Sequence, residues 1–321
     1  MDINIKMRIK LILLIISVTL SQNILGQKME NQFYNWDDFI NNFGKEMVSA
    51  ENVYLGMVES GLKDFAMSEF DFHFVSDKKE NLEELKKFLE KSYPYKVDNI
   101  KKYEDLWDLS GVTNKIPVTQ ELLLYWALDM AKRGYEFDAK LDGYGSPIDP
   151  KNPILPDLAR SKEDYYFDKG IDAYNAGDLS GAIINWTLVI EINPDDPNSY
   201  YSRAIVKNEL YTWKAALRDY DKAIELAPKF ISALNNRGSL KDENGDYEGA
   251  INDYNRVIEL SDKDIENKQM AYFNRGNSRF NMKDKDGACK DWNMALELGA
   301  AYASERIDKY CKIKNTSNNV F

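Results

Sequence analysis

Histidine occurs once in this chain of 321 residues, at His73, and cysteine twice, at Cys289 and Cys311. A lone histidine with no cysteine beside it cannot assemble a metal site or a Cys–His catalytic pair, so a sheet-packing or surface role is expected for it. No glycine-rich phosphate loop and no nucleophile elbow is present. The chain also has no Lys/Arg run, and its formal net charge is -11. A nucleic-acid backbone or an anionic membrane surface is therefore set aside as the main ligand. No apolar stretch is long enough to span a bilayer as a helix. Glu80, Glu83 and Glu84 read as a solvated helix face. Asp138, Asp142 and Asp149 gather near a glycine turn, but their spacing fits no calcium loop. Neither a metal nor a cofactor is expected, and the reading is of a protein that is not an enzyme.

The first 26 residues differ from the rest. Lys6, Arg8 and Lys10 make a basic start, Leu11 to Leu20 is almost wholly apolar, and Ser21 and Gly26 lie in a polar exit. This is the pattern of a secretory signal peptide over residues 1–26, which predicts a periplasmic or secreted protein. No cysteine follows the apolar run, so a lipoprotein anchor is not expected.

The C-terminal half repeats itself about every 34 residues. A small residue recurs (Gly170, Ala204, Gly238, Gly276), then an alanine (Ala182, Ala216, Ala250, Ala288). An aromatic follows (Trp186, Tyr220, Tyr254, Trp292), then Val189, Ala223, Val257 and Ala295. A period of this length predicts stacked pairs of helices that mainly present surface. Gly177 and Gly245 mark the turn inside two copies, with Tyr211 and Lys283 in the same place in the others; Pro194 and Pro228 stand just past second helices. The copies are 163–196, 197–230, 231–264 and 269–302, with a cap over 303–314 and a tail over 315–321. Ile265 to Lys268 is a short insertion.

Comparing the copies exposes a second pattern. Lys169, Arg203, Arg237 and Arg275 precede the small residue, and Asn185, Asp219, Asp253 and Asp291 come sixteen residues later. Three copies pair Arg with Asp, and the first has lost both. A structural, partly buried ion pair is expected at Arg203–Asp219, Arg237–Asp253 and Arg275–Asp291, within a repeat or between neighbours.

These features resemble the tetratricopeptide repeat family over Glu163 to Tyr302. The resemblance implies that the first helix of each pair lines a concave groove. Its side chains would be Phe167, Ile171 and Tyr174, then Asn198, Tyr201, Ile205 and Asn208. Ser232, Asn235, Ser239 and Asp242 would follow, then Met270, Phe273, Asn277 and Phe280. Lysine is missing from this set, so the two-lysine clamp that some relatives use for a C-terminal carboxylate is not expected. The alternative is that these residues pack against the capping helix or the other domain. Cys289 and Cys311 are equidistant from a turn at Gly299–Ala300, so a helix hairpin would set them at one height. In an exported chain this favours a disulfide, stabilising by roughly 3 kcal/mol. Two buried free thiols are the alternative.

Ahead of the repeats, residues 27–66 contain one helical face (Trp36, Phe39, Ile40, Phe43) and a stretch, Val53 to Val58, that suits a strand or a helix. Residues 67–146 read as a domain. Met67 to Ser76 alternates as a strand, Asn81 to Lys91 as a helix, and Tyr95 to Tyr103 and Leu106 to Val112 as strands. Thr119 to Arg133 reads as a capped helix and Tyr135 to Leu141 as a strand, with Asp142–Gly143–Tyr144–Gly145 as a tight turn. The order βαββαβ predicts a ferredoxin-like α+β sandwich. The stretches FDFHFVSDKKENLEELKKFL, LWDLSGVT and WALDMAKRGYEFDAKLDGYG resemble the regulator of ribonuclease activity B family. Asp142, Gly143, Tyr144 and Gly145 match that family's signature. The resemblance implies an inhibitor that binds a ribonuclease. Residues 147–162, with prolines every third position, read as a stiff linker. The function expected first is protein or peptide binding by an exported scaffold, and second is ribonuclease regulation. The oligomeric state is not readable.

Overall fold

The computed structural model describes residues 31–147 and 153–312. The expected signal peptide, Asp149 and the tail lie outside these residues. Among the described residues no helix is long and apolar enough to cross a membrane. The chain divides into two units, one ending at Pro194 and the other beginning at Asp195.

The first unit opens with helix α1, Trp36–Glu59, capped by Asn35, whose side chain accepts from the Asp38 amide. It takes in both the aromatic face and Val53 to Val58, which is therefore helical. Strands β1 (Ala66–Ser68), β2 (Asp71–Ser76), β3 (Lys96–Val97), β4 (Lys101–Tyr103), β5 (Leu106–Val112), β6 (Ile116–Val118) and β7 (Lys140–Gly145) follow, with α2 (Lys79–Ser92) and α3 (Gln120–Glu136) between them. Thr119 caps α3 through the Leu122 amide. The main sheet runs β3–β5–β2–β7, all antiparallel, and β4 also pairs with β5. Phe72 and Phe74 on β2 and Leu109 on β5 are fully buried on one face. Helix α2 packs on β2 and β5, α3 packs on β7, and α1 packs on α3.

Four local expectations are corrected. Met67 to Ser76 is two strands, because β1 leaves to pair with β6 in a separate small sheet. Tyr95 to Tyr103 is likewise broken into β3 and β4. Tyr135 belongs to α3, and the helix ends near Asp138, which takes a left-handed φ of 50°. Asp142 to Gly145 is not a turn but the body of β7, with Phe72 opposite Tyr144 and Asp71 opposite Gly145. The two glycines suggest a turn, yet β7 uses them in a strand whose register shifts opposite His73 and Phe74. The described part of the proline-rich stretch is irregular to Ala159 and then a 3-10 turn, Arg160–Lys162. It is tied down at Ile154, whose carbonyl accepts from the Met67 amide at 2.7 Å.

The repeats are paired helices. The first pair is α4 (Glu163–Ala176) and α5 (Leu179–Ile192). Both helices fall in the first unit, so the chain does not divide at residue 163. The second unit holds α6 (Pro197–Glu209) with α7 (Trp213–Leu226), α8 (Ile231–Glu243) with α9 (Tyr247–Leu260), and α10 (Ile265–Asn281) with α11 (Lys285–Glu297). The last helix among the described residues is α12, Ala303–Tyr310. The insertion at Ile265 to Lys268 adds a first turn to α10. The four turn positions share a left-handed backbone: φ is 88° at Gly177, 58° at Tyr211, 84° at Gly245 and 70° at Lys283. Asp178, Asp246 and Asp284 cap the helices that follow, each accepting from a glycine amide three residues on. The recurring small residue lies against the aromatic of its own pair. A Cβ at Gly170 would stand 2.4 Å from the Trp186 ring, and one at Gly238 2.8 Å from the Tyr254 ring.

Candidate functional site

In the second unit the Arg–Asp positions meet across each pair. Arg203 donates two bonds to Asp219, both 2.8 Å. Arg237 holds Asp253 at 2.9 and 2.5 Å, and Arg275 holds Asp291 at 2.9 and 2.6 Å. Two of these arginines also reach the preceding pair: Arg237 bonds Asp221 at 2.7 Å and Arg275 bonds Asn255 at 2.6 Å. The linkage is therefore both within and between repeats. A second cation, one helical turn further on, closes each site. Lys207 meets Asp219 at 2.9 Å, Lys241 meets Asp253 at 2.9 Å and Arg279 meets Asp291 at 2.7 Å. Sequence reasoning missed this third member, although its signal is the same: the first copy has Ala173 in that place. Burial pushes the Asp219 carboxyl up, but Arg203 and Lys207 outweigh it and hold it below the ordinary value.

The first copy does something else. Lys169 pairs with Asp172 on its own exposed face, and Asn185 donates to the Gly181 carbonyl. The polar staple has moved to the junction with α3, and α5 packs against that helix. Asp129, fully buried, accepts from the Tyr93 hydroxyl at 2.9 Å, from Arg133 at 3.2 Å and from the Ser180 amide at 2.8 Å. Arg133 also donates to the Gly177 carbonyl at 2.8 Å and to Glu136 at 2.7 Å. Asp178 sits beside this group, bonded to the Gly181 amide and Ser180 hydroxyl. Burial, together with the neighbouring Asp129 charge, raises its carboxyl to about 7. Burial and the Asp129 charge likewise push the Tyr93 phenol well up.

The fifteen side chains expected in the groove separate into two groups. Phe167, Ile171, Tyr174, Tyr201, Ile205 and Asn235 are buried and line no open surface. Tyr201 packs on Tyr220 and Phe230, and its hydroxyl accepts from Asn236. Asn235 donates to Asn267 across α8 and α10. The reason is packing within a pair: Tyr174 meets Trp186 and Tyr201 meets Tyr220, each on the second helix of its own pair, so these positions fill the core instead of facing solvent. Asn198, Asn208, Ser232, Ser239, Asp242, Met270, Phe273, Asn277 and Phe280 stay half-buried. Asp242 accepts from Ser278 at 2.6 Å, Asn277 accepts from Trp292 at 3.2 Å, and Phe273 meets Tyr302 edge-on. The capping helix takes Phe280, whose ring lies 4.5 Å from that of Tyr310.

Cys289 and Cys311 are bonded, with Cα atoms 5.7 Å apart. Helix α12 ends at Tyr310, so Cys311 sits at its C-terminal cap instead of mid-helix. His73 lies on β2 and faces Asp108 at 3.4 Å. Asp138 spends its carboxylate on the amides of Phe33 and Tyr34. Among the described residues no group of three or more His, Cys, Asp or Glu could hold a metal. In β7 the Tyr144 ring meets Trp126 edge-on, and burial raises its phenol to about 12.

No curated protein matches the chain. Several solved structures are similar to part of the chain. The pilF protein of Pseudomonas aeruginosa has 23% identity over 47% of this chain and 70% of that one, with a TM-score of 0.41. MamA from residue 41 of Desulfovibrio magneticus RS-1 has 17% identity over 47% and 88%, at 0.41. The first repeat domain of Spaghetti (RPAP3), solved with an HSP90 peptide, has 23% identity over 39% and 98%, at 0.36. The tetratricopeptide repeat family model matches residues 219–252, running from the ion-paired Asp219 on α7 into α9. That segment is similar to a tetratricopeptide repeat.

Proposed function

We propose that the chain is an exported, non-enzymatic scaffold that holds a polypeptide along the face built by the first helices of its repeats. The observation that carries this reading is the row of half-buried side chains on α6, α8 and α10, with Asn198, Asn208, Ser232 and Ser239 ahead of Met270 and Phe273. Amides and hydroxyls can both donate to and accept from a peptide backbone. The apolar pair at the end suits an anchoring side chain. Arg203, Lys207, Arg237, Lys241, Arg275 and Arg279 on the same helices are engaged by Asp219, Asp253 and Asp291, and Lys268 at the start of α10 lies 3.9 Å from Asp262. The ligand is therefore a main chain with apolar side chains and not an acidic tail.

The test replaces half-buried positions and leaves Tyr201 and Asn235 alone, because truncating buried groups would unfold the repeat. Asn208→Arg with Ser239→Arg places two bulky cations on the face. Affinity capture from the envelope fraction should lose its main polypeptide with the variant while the thermal midpoint stays put. An unchanged captured set sinks the groove.

The N-terminal elements are best read as ferredoxin-like, which the order β3–β5–β2–β7 supports. The likeness to regulator of ribonuclease activity B rests on the quoted stretches, and its signature lies in β7, at one end of the sheet. Ribonuclease regulation is the second reading, and it requires a cytosolic form. Sequencing the N-terminus of the protein from cells separates the two: a start near residue 27 favours export, and an intact start favours the regulator.

A further inference from the structure

We propose that the exposed apolar stripe of α1 is a self-association surface, on which two copies pair antiparallel about a twofold axis between Met47 and Val48. Helix α1 carries two apolar stripes. Phe39, Phe43, Ala50 and Met57 are buried, and α1 packs on α3. The other stripe is open to solvent: Trp36 is 46% exposed, Ile40 46%, Met47 41%, Val48 57%, Leu55 49% and Val58 43%. Positions 40, 44, 47, 51, 55 and 58 advance by three or four, so they share one side of the helix. Gly44 and Glu51 interrupt the stripe, yet six exposed large apolar side chains on one helix are more than the scattered single residues of an ordinary surface.

The occupant follows from the order of residues. About the midpoint of 47 and 48, Ile40 falls opposite Leu55, Gly44 opposite Glu51, and Met47 opposite Val48, while Trp36 and Val58 lie at the rim opposite Glu59 and Asp37. The central pairs are apolar on apolar, the self-complementarity that an isologous interface needs. The charges agree. A Cβ at Gly44 would stand in open space, so Glu51 of the other copy fits over it and reaches Lys45. Twofold symmetry makes that pair twice. Glu51 already accepts one bond, from Gln120 at 3.3 Å, and a carboxylate has further acceptor sites. The helix is roughly 36 Å long at 1.5 Å per residue. Covering its six half-open apolar side chains in both copies buries roughly 1,000 Å², the lower edge of a specific interface. A lipid surface suits the stripe less well. Lys45 is the one base on α1, against Asp37, Asp38, Glu46, Glu51 and Glu59. Surface-lying helices instead place cations beside their apolar face.

Cysteine cross-linking tests the geometry on the full chain. The natural cysteines are bonded to each other, so an introduced thiol is the free one. Val48→Cys should oxidise to a covalent dimer, because position 48 lies beside the axis. Ile40→Cys alone should not, but mixed with Leu55→Cys it should. Sedimentation at tens of micromolar should show wild type at twice the chain mass and Val48→Glu at the chain mass, with unchanged circular dichroism. A monomeric wild type overturns the proposal. So does self-linking of Ile40→Cys in preference to the mixed pair. So does a monomer that floats with phosphatidylglycerol vesicles.

Discussion

In the pairs α6–α7, α8–α9 and α10–α11, an aspartate on the second helix is held by two cations on the first. In α4–α5 the three positions are Lys169, Ala173 and Asn185, and none of them makes that link. The first pair has its own staple, supplied by a different neighbour: Asp129 and Arg133 of α3 bond the turn at Gly177 and the start of α5. A repeat within a stack must fix its two helices to each other and to the pair before it, and Arg237 does both by holding Asp253 and Asp221. The first pair has no repeat before it. Its polar joint is therefore built with α3, and the column that serves the other pairs is released.

The largest effect should come from cutting that joint. Asp129→Ala removes a buried carboxylate and leaves Arg133, Tyr93 and the Ser180 amide short of an acceptor. Breaking one side of a buried pair costs about 3–5 kcal/mol. Hydrogen exchange should show lost protection over residues 31–194, with the helices after Asp195 keeping theirs. Equal loss in both units would end the comparison, because the staple would then serve the whole chain.

Asp178, in the same cluster, tests the joint by pH. Its carboxyl ordinarily titrates near 3.8 and is raised to about 7 by burial and by Asp129. Between those values the folded chain keeps a proton that the unfolded chain has released. Stability from this group is complete below pH 3.8, falls as pH rises toward 7, and is flat above. Tyr93, Tyr95, Arg133 and Asp129 face it, together with the Gly181 amide and Ser180 hydroxyl. Asp178→Asn keeps the cap acceptor and removes the titration. The variant should match wild type near pH 4 and exceed it by about 4 kcal/mol at pH 8, read as a gap between denaturation midpoints. A gap independent of pH would show that Asp178 titrates normally.

Much of the second unit was legible in the residues, because its copies calibrate one another. Tyr211 and Lys283 could be read as turn positions only because Gly177 and Gly245 stand in the same column. The Arg–Asp pairs emerged from their joint loss in the first copy, and the third cation was in reach of the same comparison. The N-terminal elements offered no second copy. There Tyr135 and Phe137 imitated strand alternation inside the end of α3, and the glycines of β7 imitated a turn. The anchoring of the first pair could not be read at all, since Asp129 meets Ser180 across 51 positions. Nor could the burial of Tyr201 and Asn235, since helical spacing gives a face but not what closes over it.

The smallest effect comes from restoring the lost column. Lys169→Arg with Asn185→Asp rebuilds the salt bridge in a copy that still has Ala173 where the others have a second cation. Lys169 now has a half-exposed side chain, and a pair formed there is screened by solvent. A double-mutant cycle on thermal midpoints should give a coupling under about 1 kcal/mol. The same cycle on Arg237 and Asp253 should give several times more, because Asp253 is buried and Arg237 also holds Asp221. If the restored pair coupled as strongly as the native ones, burial in the column would not explain its loss from the first copy. The contrast between α3-anchored and stack-anchored repeats would then reduce to an accident of sequence.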